Sequence, residues 1–180
     1  MKTETEIKVW DPLVRIFHWS LVLAFTIAYL TGDEWQDVHE ALGYFIGGLL
    51  VFRLLWGFVG PRHARFKDFV YSPALTRAYL LDLARGKAKR YLGHNPAGGW
   101  MILFLLASLT LTVSFGILTE TLGEKSFIGD ASKEVHEFFA NFSLVLVGLH
   151  VLGVMVSSRL HHENLVRAMI TGRKPLHPDE

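Results

Sequence analysis

The chain has 180 residues, 51% of them hydrophobic, with a net charge of only +1 and no cysteine. That is too apolar for an ordinary soluble domain, and the charge offers nothing to nucleic acid. The absence of thiols excludes disulfides, Cys-ligated zinc, iron–sulfur clusters and covalent c-type haem, and leaves nine histidines as the soft ligands.

One domain, residues 1–180, is expected at this length. Met1–Val9 is polar and mixed in charge, and no small-residue cleavage site follows the first apolar run. The first apolar run is therefore expected to stay in the membrane as an anchor. That run, 13–31, follows Asp11-Pro12, an N-cap with proline at the first helical position. The second, 39–58, opens on His39, carries Arg53, and contains Gly43, Gly47 and Gly48, which permit close helix approach. Residues 61–97 are polar. Within them Ser72-Pro73 starts a short helix with Leu75, Tyr79 and Leu83 on one face, expected to lie on the membrane surface. The third run, 99–118, has no histidine and no charge and reads as scaffold. The fourth is 135–157, and a polar, basic tail follows. Each run is long enough to cross a hydrocarbon core of roughly 30 Å. The expected fold is an all-α membrane protein: a bundle of four transmembrane helices with a short cytoplasmic interfacial helix.

Basic residues orient the spans. Lys2, Lys8 and Arg15 precede or open the first, eight lie in 61–97, and four lie in the tail. The other two connections hold only Lys125 and Lys133. Both termini and the long loop are thus expected on the cytoplasmic side. The outer side collects Asp33, Glu34, Asp37, Glu40, Glu120, Glu124, Asp130, Glu134 and Glu137.

Four histidines then fall at two depths. His136 and His150 are 14 residues apart, which is one face of a helix and about 21 Å of rise. His18 lies near the cytoplasmic start of the first span, and His39 near the outer start of the second. Each level draws one imidazole from the fourth helix and one from another. Two facing histidines from separate helices are the axial-ligand pattern of a bundle-held b haem. The expected pairs are His18 with His150 (inner) and His39 with His136 (outer). With both axial positions filled, outer-sphere electron transfer is favoured over oxygen binding. Zinc would need four ligands converging on one point, and the spacing is too wide. A proton relay would need polar residues between the levels, and Ser108–Ser114 supplies some. Arg53 lies 14 residues after His39, so it belongs to the inner level. It either pairs with a haem propionate or snorkels to the interface. Glu40 and Glu137 adjoin the outer histidines and are candidates to orient them. His63, His94, His161, His162 and His177 read as surface histidines; His94 is also placed to face a quinone head group or a propionate.

The segments VWDPLVRIFHW (9–19), HEALGYFIGGLLVFRLLWGFVGPRHARF (39–66), LGHNP (92–96), HEFFANFSLVLVGLH (136–150) and HENLVRAMITGRK (162–174) span nearly the whole chain. Together they resemble the bacterial cytochrome b-561 family, which includes b-type cytochrome subunits of nickel–iron hydrogenases. The resemblance implies a four-helix membrane cytochrome with two b haems that exchanges electrons with the quinone pool. Carried over by position, its ligands are His18, His39, His136 and His150. The expected protein is a dihaem cytochrome of the bacterial inner membrane, in contact with lipid, quinone and a periplasmic redox protein such as a c-type cytochrome. A superoxide:quinone oxidoreductase of the same fold and a haem-free transporter or assembly factor are the alternatives.

Overall fold

The computed structural model describes residues 6–32, 34–123 and 125–176. Lys2, Asp33 and Glu124 of the charge pattern, and His177, lie outside the described residues. The chain runs through strand β1 (Glu6–Lys8), helices α1 (Pro12–Thr31) and α2 (Gln36–Val59), a 3-10 turn (Phe66–Asp68), α3 (Pro73–Ala84), α4 (Pro96–Leu122), α5 (Phe127–Leu160), α6 (Leu165–Thr171) and strand β2 (Arg173–Pro175). Helices α1, α2, α4 and α5 are long and apolar enough to cross a membrane. The fold is the expected all-α one, with four spans and a short helix between the second and third.

Capping chemistry explains the helix starts. The Asp11 carboxylate accepts from the backbone N–H groups of Leu13 (2.9 Å) and Val14 (3.2 Å), ahead of Pro12. Ser72 does the same for Leu75, ahead of Pro73. Asn95-Pro96 repeats the device, with Gly98 N–H donating to Asn95 Oδ1 at 2.7 Å. That is why α4 begins at Pro96 rather than at residue 99. The largest difference is in α5, which begins at Phe127 instead of residue 135. Gly123, at φ +73°, ends α4, and Ser126 Oγ accepts from Gly129 N–H at 3.0 Å. The polar turns that follow are therefore helical although they lie outside the apolar run. On α3, Tyr79 of the expected row is buried, as is its neighbour Thr76, and the Tyr79 ring lies 5.8 Å from that of Tyr91.

The chain divides into two compact units. The first comprises residues 1–16, 55–101 and 150–180. Its ends are tied together: β1 pairs antiparallel with β2, with Ile7 opposite Lys174. Val9 and Trp10 both donate backbone N–H groups to the Gly172 carbonyl, and they pack on Ala168 and Met169. Gly172 closes α6 in the left-handed conformation at φ +81°, which glycine adopts without a Cβ clash. The Arg15 guanidinium donates to the Ile170 carbonyl. Buried Glu163 bridges two cations, Arg90 at 3.0 Å and Lys174 at 3.1 Å. Lys174 also donates to the Tyr91 carbonyl, and Arg90 to the Pro175 carbonyl. Neither the strand pair nor α6 was evident in the sequence.

The second unit comprises residues 17–54 and 102–149. Helix contacts within it are close where side chains are small; a Cβ on Gly47 would lie 3.3 Å from Val113. Two polar pairs join its helices: Tyr29 O–H donates to Asn141 (2.7 Å), and Tyr44 O–H donates to Glu120 (2.6 Å).

Candidate functional site

The second unit brings His39 and His136 together. Their ring centres are 5.8 Å apart and the planes cross at 78°. His39 stands one turn into α2, as expected. His136 stands more than two turns into α5 rather than in its first turn, because that helix starts early. Both rings are half-buried.

The two imidazoles are held by the same device. His39 Nδ1 lies 2.8 Å from the Ala28 carbonyl oxygen, and His136 Nδ1 lies 2.8 Å from the Thr112 carbonyl oxygen. A carbonyl only accepts, so each Nδ1 carries the proton and donates. Each neutral ring then keeps its lone pair on Nε2, the nitrogen available to a metal. Two imidazoles sharing one metal ion, each nitrogen about 2 Å from it, set their ring centres roughly 6 Å apart. The pair fits that requirement. The orienting groups are backbone carbonyls, not the carboxylates of Glu40 and Glu137 expected from the sequence. Glu40 instead accepts from Gln36 at 2.7 Å, and Glu137 is exposed.

Glycine makes room for the His136 ring. Gly32 sits against His39, where a Cβ would meet Nδ1 at 3.5 Å. A Cβ on Gly116 would lie 2.9 Å from His136 Nδ1, closer than real Cβ contacts come. Gly116 is four residues after Thr112, so its bare Cα leaves the second lone pair of the Thr112 carbonyl open to His136. Helix α4, read from the sequence as scaffold, thus supplies both the acceptor and the space.

His18 is half-buried in the second unit, its ring 5.0 Å from Trp19. His150 is half-buried on α5 in the part that belongs to the first unit. Arg53 is only 3% exposed. His63 and His94 are half-buried. The His94 ring packs between Trp10 (4.5 Å) and Phe69 (4.7 Å), and His63 lies 6.5 Å from Trp10. Burial, together with the nearby Arg62, lowers the His63 pKa below its ordinary value. His161 is half-buried and His162 is exposed.

Among the described residues no group of three or more His, Asp or Glu side chains is placed to hold a metal ion. A closed zinc site would need such a group. Paired imidazoles between apolar helices suit instead a planar macrocycle whose own nitrogens complete the coordination of iron. The class so defined is the multi-pass b-type membrane cytochrome.

Comparison with known proteins gives the family. The chain belongs to the family described as prokaryotic cytochrome b561, whose model matches residues 9–172. Haem b and electron transfer are the business of that family, and the protein is a multi-pass bacterial membrane protein. The haem-free alternative is thereby set aside. It is similar to three proteins each named "Probable Ni/Fe-hydrogenase B-type cytochrome subunit". The one from Azotobacter vinelandii is 23% identical, covering 96% of this chain and 90% of its own. That from Rhodobacter capsulatus is 23% identical, covering 99% and 85%. That from Rhizobium leguminosarum bv. viciae is 25% identical, covering 92% and 87%. No solved structure matches the chain.

The tight approach at Gly116 makes a direct test. Gly116→Ala should push the His136 ring off the Thr112 carbonyl and lower the bound haem b, read from the absorption spectrum of purified protein. Gly43→Ala, where a Cβ meets nothing within 4 Å, should leave haem content unchanged. Equal haem in both variants would show that the close contact does not matter.

Proposed function

We propose that the chain is a dihaem b-type cytochrome passing electrons between membrane quinone and a redox protein at the outer face. His39 and His136 would hold an outer haem, and His18 and His150 an inner one. The observation that carries this reading is the repeated carbonyl bond at His39 and His136, which leaves Nε2 bare on both rings.

When bound, haem supplies a one-electron ferric–ferrous couple, tuned by its ligands and surroundings. The chain does the rest. Ala28 and Thr112 hold the protons on Nδ1, so the ligand nitrogens stay neutral and aimed. Apolar helix surfaces exclude water from the pair. Arg53 carries a buried positive charge at the inner level, where a propionate is its natural complement. Both termini and the 61–97 loop face the cytoplasm, in keeping with their basic residues.

The partner reading has two supports. The relatives' names point to a nickel–iron hydrogenase as the class of electron donor or acceptor. The acidic outer residues suit a basic docking surface, such as that of a small c-type cytochrome. Of these, Glu34, Asp37, Glu120, Asp130, Glu134 and Glu137 are exposed.

Purified protein should hold two haems per chain with low-spin spectra. His136→Leu should remove one and largely spare the other. A single haem in the wild type, or an open-site high-spin spectrum, would reject the dihaem reading. In the same redox titration Arg53→Leu should lower the potential of one haem only, because a nearby positive charge favours the reduced form. No change would separate Arg53 from the haem.

Orientation is tested with single cysteines, which the native chain lacks. Lys125→Cys should react with an impermeant thiol reagent in intact cells, and Lys87→Cys should not; both positions are exposed. The opposite pattern would invert the proposed topology.

A further inference from the structure

The space between α4 and α5 in the second unit holds more than the His136 bond. On α4, Ser108, Thr112 and Gly116 recur every four residues and form one stripe. On α5, Ser143 lies seven residues after His136 on the same face. Ser143 is fully buried, Ser108 is 2% exposed and Thr112 is 8% exposed. Buried hydroxyls in a membrane helix need acceptors and donors within the protein. Two rungs join the helices here, and the Thr112 hydroxyl uses a backbone carbonyl of its own helix.

The upper rung is His136 Nδ1–H to the Thr112 carbonyl, at 2.8 Å. The lower rung is Ser108 Oγ to Ser143 Oγ, also 2.8 Å, with the Phe139 carbonyl 3.4 Å from Ser108 Oγ. A consistent proton assignment has Ser143 donating to Ser108 and Ser108 donating to Phe139. The Thr112 hydroxyl donates to the Ser108 carbonyl at 3.0 Å and joins the two rungs along α4.

The helices differ in what fixes their register at each level. Beside His136 the α4 residue is glycine, and the next polar contact above it is the long one from the Thr119 hydroxyl to the Gly129 carbonyl of α5, at 3.5 Å. The nearest directional tie below it is the serine pair. A slide along α4 would lengthen the bond from the imidazole N–H to the Thr112 carbonyl, and the serine bond resists that slide. We infer that Ser108 and Ser143 are positioning residues for the His136 imidazole, acting through the Thr112 carbonyl. This rests on His136 being a haem ligand, as proposed above.

The sign of the effect follows from ligand chemistry. A hydrogen bond accepted from Nδ1–H makes the imidazole more electron-rich and favours ferric iron. Loosening that bond should raise the midpoint potential of the haem that His136 holds. The test uses purified holoprotein of the wild type, Ser108→Ala, Ser143→Ala and the double variant, each titrated optically under anaerobic conditions. The His136-linked haem is the one lost in His136→Leu. Its potential should rise in each single variant and no further in the double, because either alanine removes the same bond. The other haem should not move. An unchanged potential, an equal shift of both haems, or additive shifts would each overturn the inference. Where Ser143→Ala loses the haem outright, Ser143→Cys decides. Retention with the weak thiol donor upholds the positioning role, and loss there too assigns the site to packing and overturns it. A wild-type protein with no His136-dependent haem would instead sink the ligand assignment on which the inference stands.

Discussion

A neutral imidazole offers one lone-pair nitrogen, and at His39 and His136 a backbone carbonyl decides which nitrogen it is. The two carbonyls become available for different reasons. Ala28 lies in the last turn of α1, where helix carbonyls lose their usual partners. The His39 N–H fills such a vacancy, alongside the Thr31 hydroxyl at 3.3 Å. Thr112 lies in mid-helix, where its carbonyl already serves the helix and accepts a second donor on its other lone pair. That second approach is open only because residue 116 has no Cβ. One hydrogen bond of this kind contributes only about 0.5–1.5 kcal/mol net. Its value is directional: it selects the tautomer and fixes the ring plane, which apolar packing alone does not do.

The first unit is held by a different kind of force. The chain ends, the 61–95 loop and α6 are gathered there by polar bonds. Glu163 is the hub, using one oxygen on Arg90 and the other on Lys174, with side-chain exposures of 4%, 12% and 2%. Removing one member of such a buried set typically costs about 3–5 kcal/mol, because a charge is then stranded. The exposed Glu6–Arg173 pair at 3.8 Å adds little beside it. Aromatic rings fill the remaining space, with Phe69 only 1% exposed beneath His94. His63, at φ +71°, is a strained residue on the edge of this cluster, packed over Gly93, where a Cβ would lie 2.6 Å from Nδ1.

What could be read in the sequence is what repeats or stops. Apolar runs gave the four helices, Asp11-Pro12 and Ser72-Pro73 gave two of the caps, and the 14-residue interval put His136 and His150 on one stripe. Asn95-Pro96 carries the same signal as the other caps and could have been read; the glycines at 98 and 99 obscured it. The early start of α5 was also signalled, by Ser126 three residues ahead of Gly129. The carbonyl partners were not legible in principle. Every residue has a carbonyl, so nothing in the letters marks Ala28 or Thr112 as the one beneath an imidazole. The same holds for β1 and β2, three residues each, whose pairing depends on where the chain ends are brought. Gly116 and Ser143 lie between these cases. Ser143 falls midway on the His136–His150 stripe, a visible position whose meaning needs the facing helix.

The choice of carbonyls over carboxylates also settles what the acidic outer residues can act on. A carboxylate on Nδ1 would pull imidazole toward imidazolate and place a full negative charge beside the iron. Here the nearest candidates are occupied elsewhere or face solvent: Glu40 is bonded to Gln36, Glu120 to Tyr44, and Glu137 is exposed. A charge at 4 Å contributes about 4 kcal/mol at an effective dielectric of 20 but only about 1 kcal/mol in bulk water. Solvent-facing carboxylates therefore exert a weak and salt-sensitive pull on a group held between helices. On the solvent side the same charges act over a screening length of about 8 Å at physiological salt. The geometry thus separates two tasks that the sequence had placed on the same residues. Neutral backbone oxygens fix the two imidazoles, and most of the carboxylates face solvent.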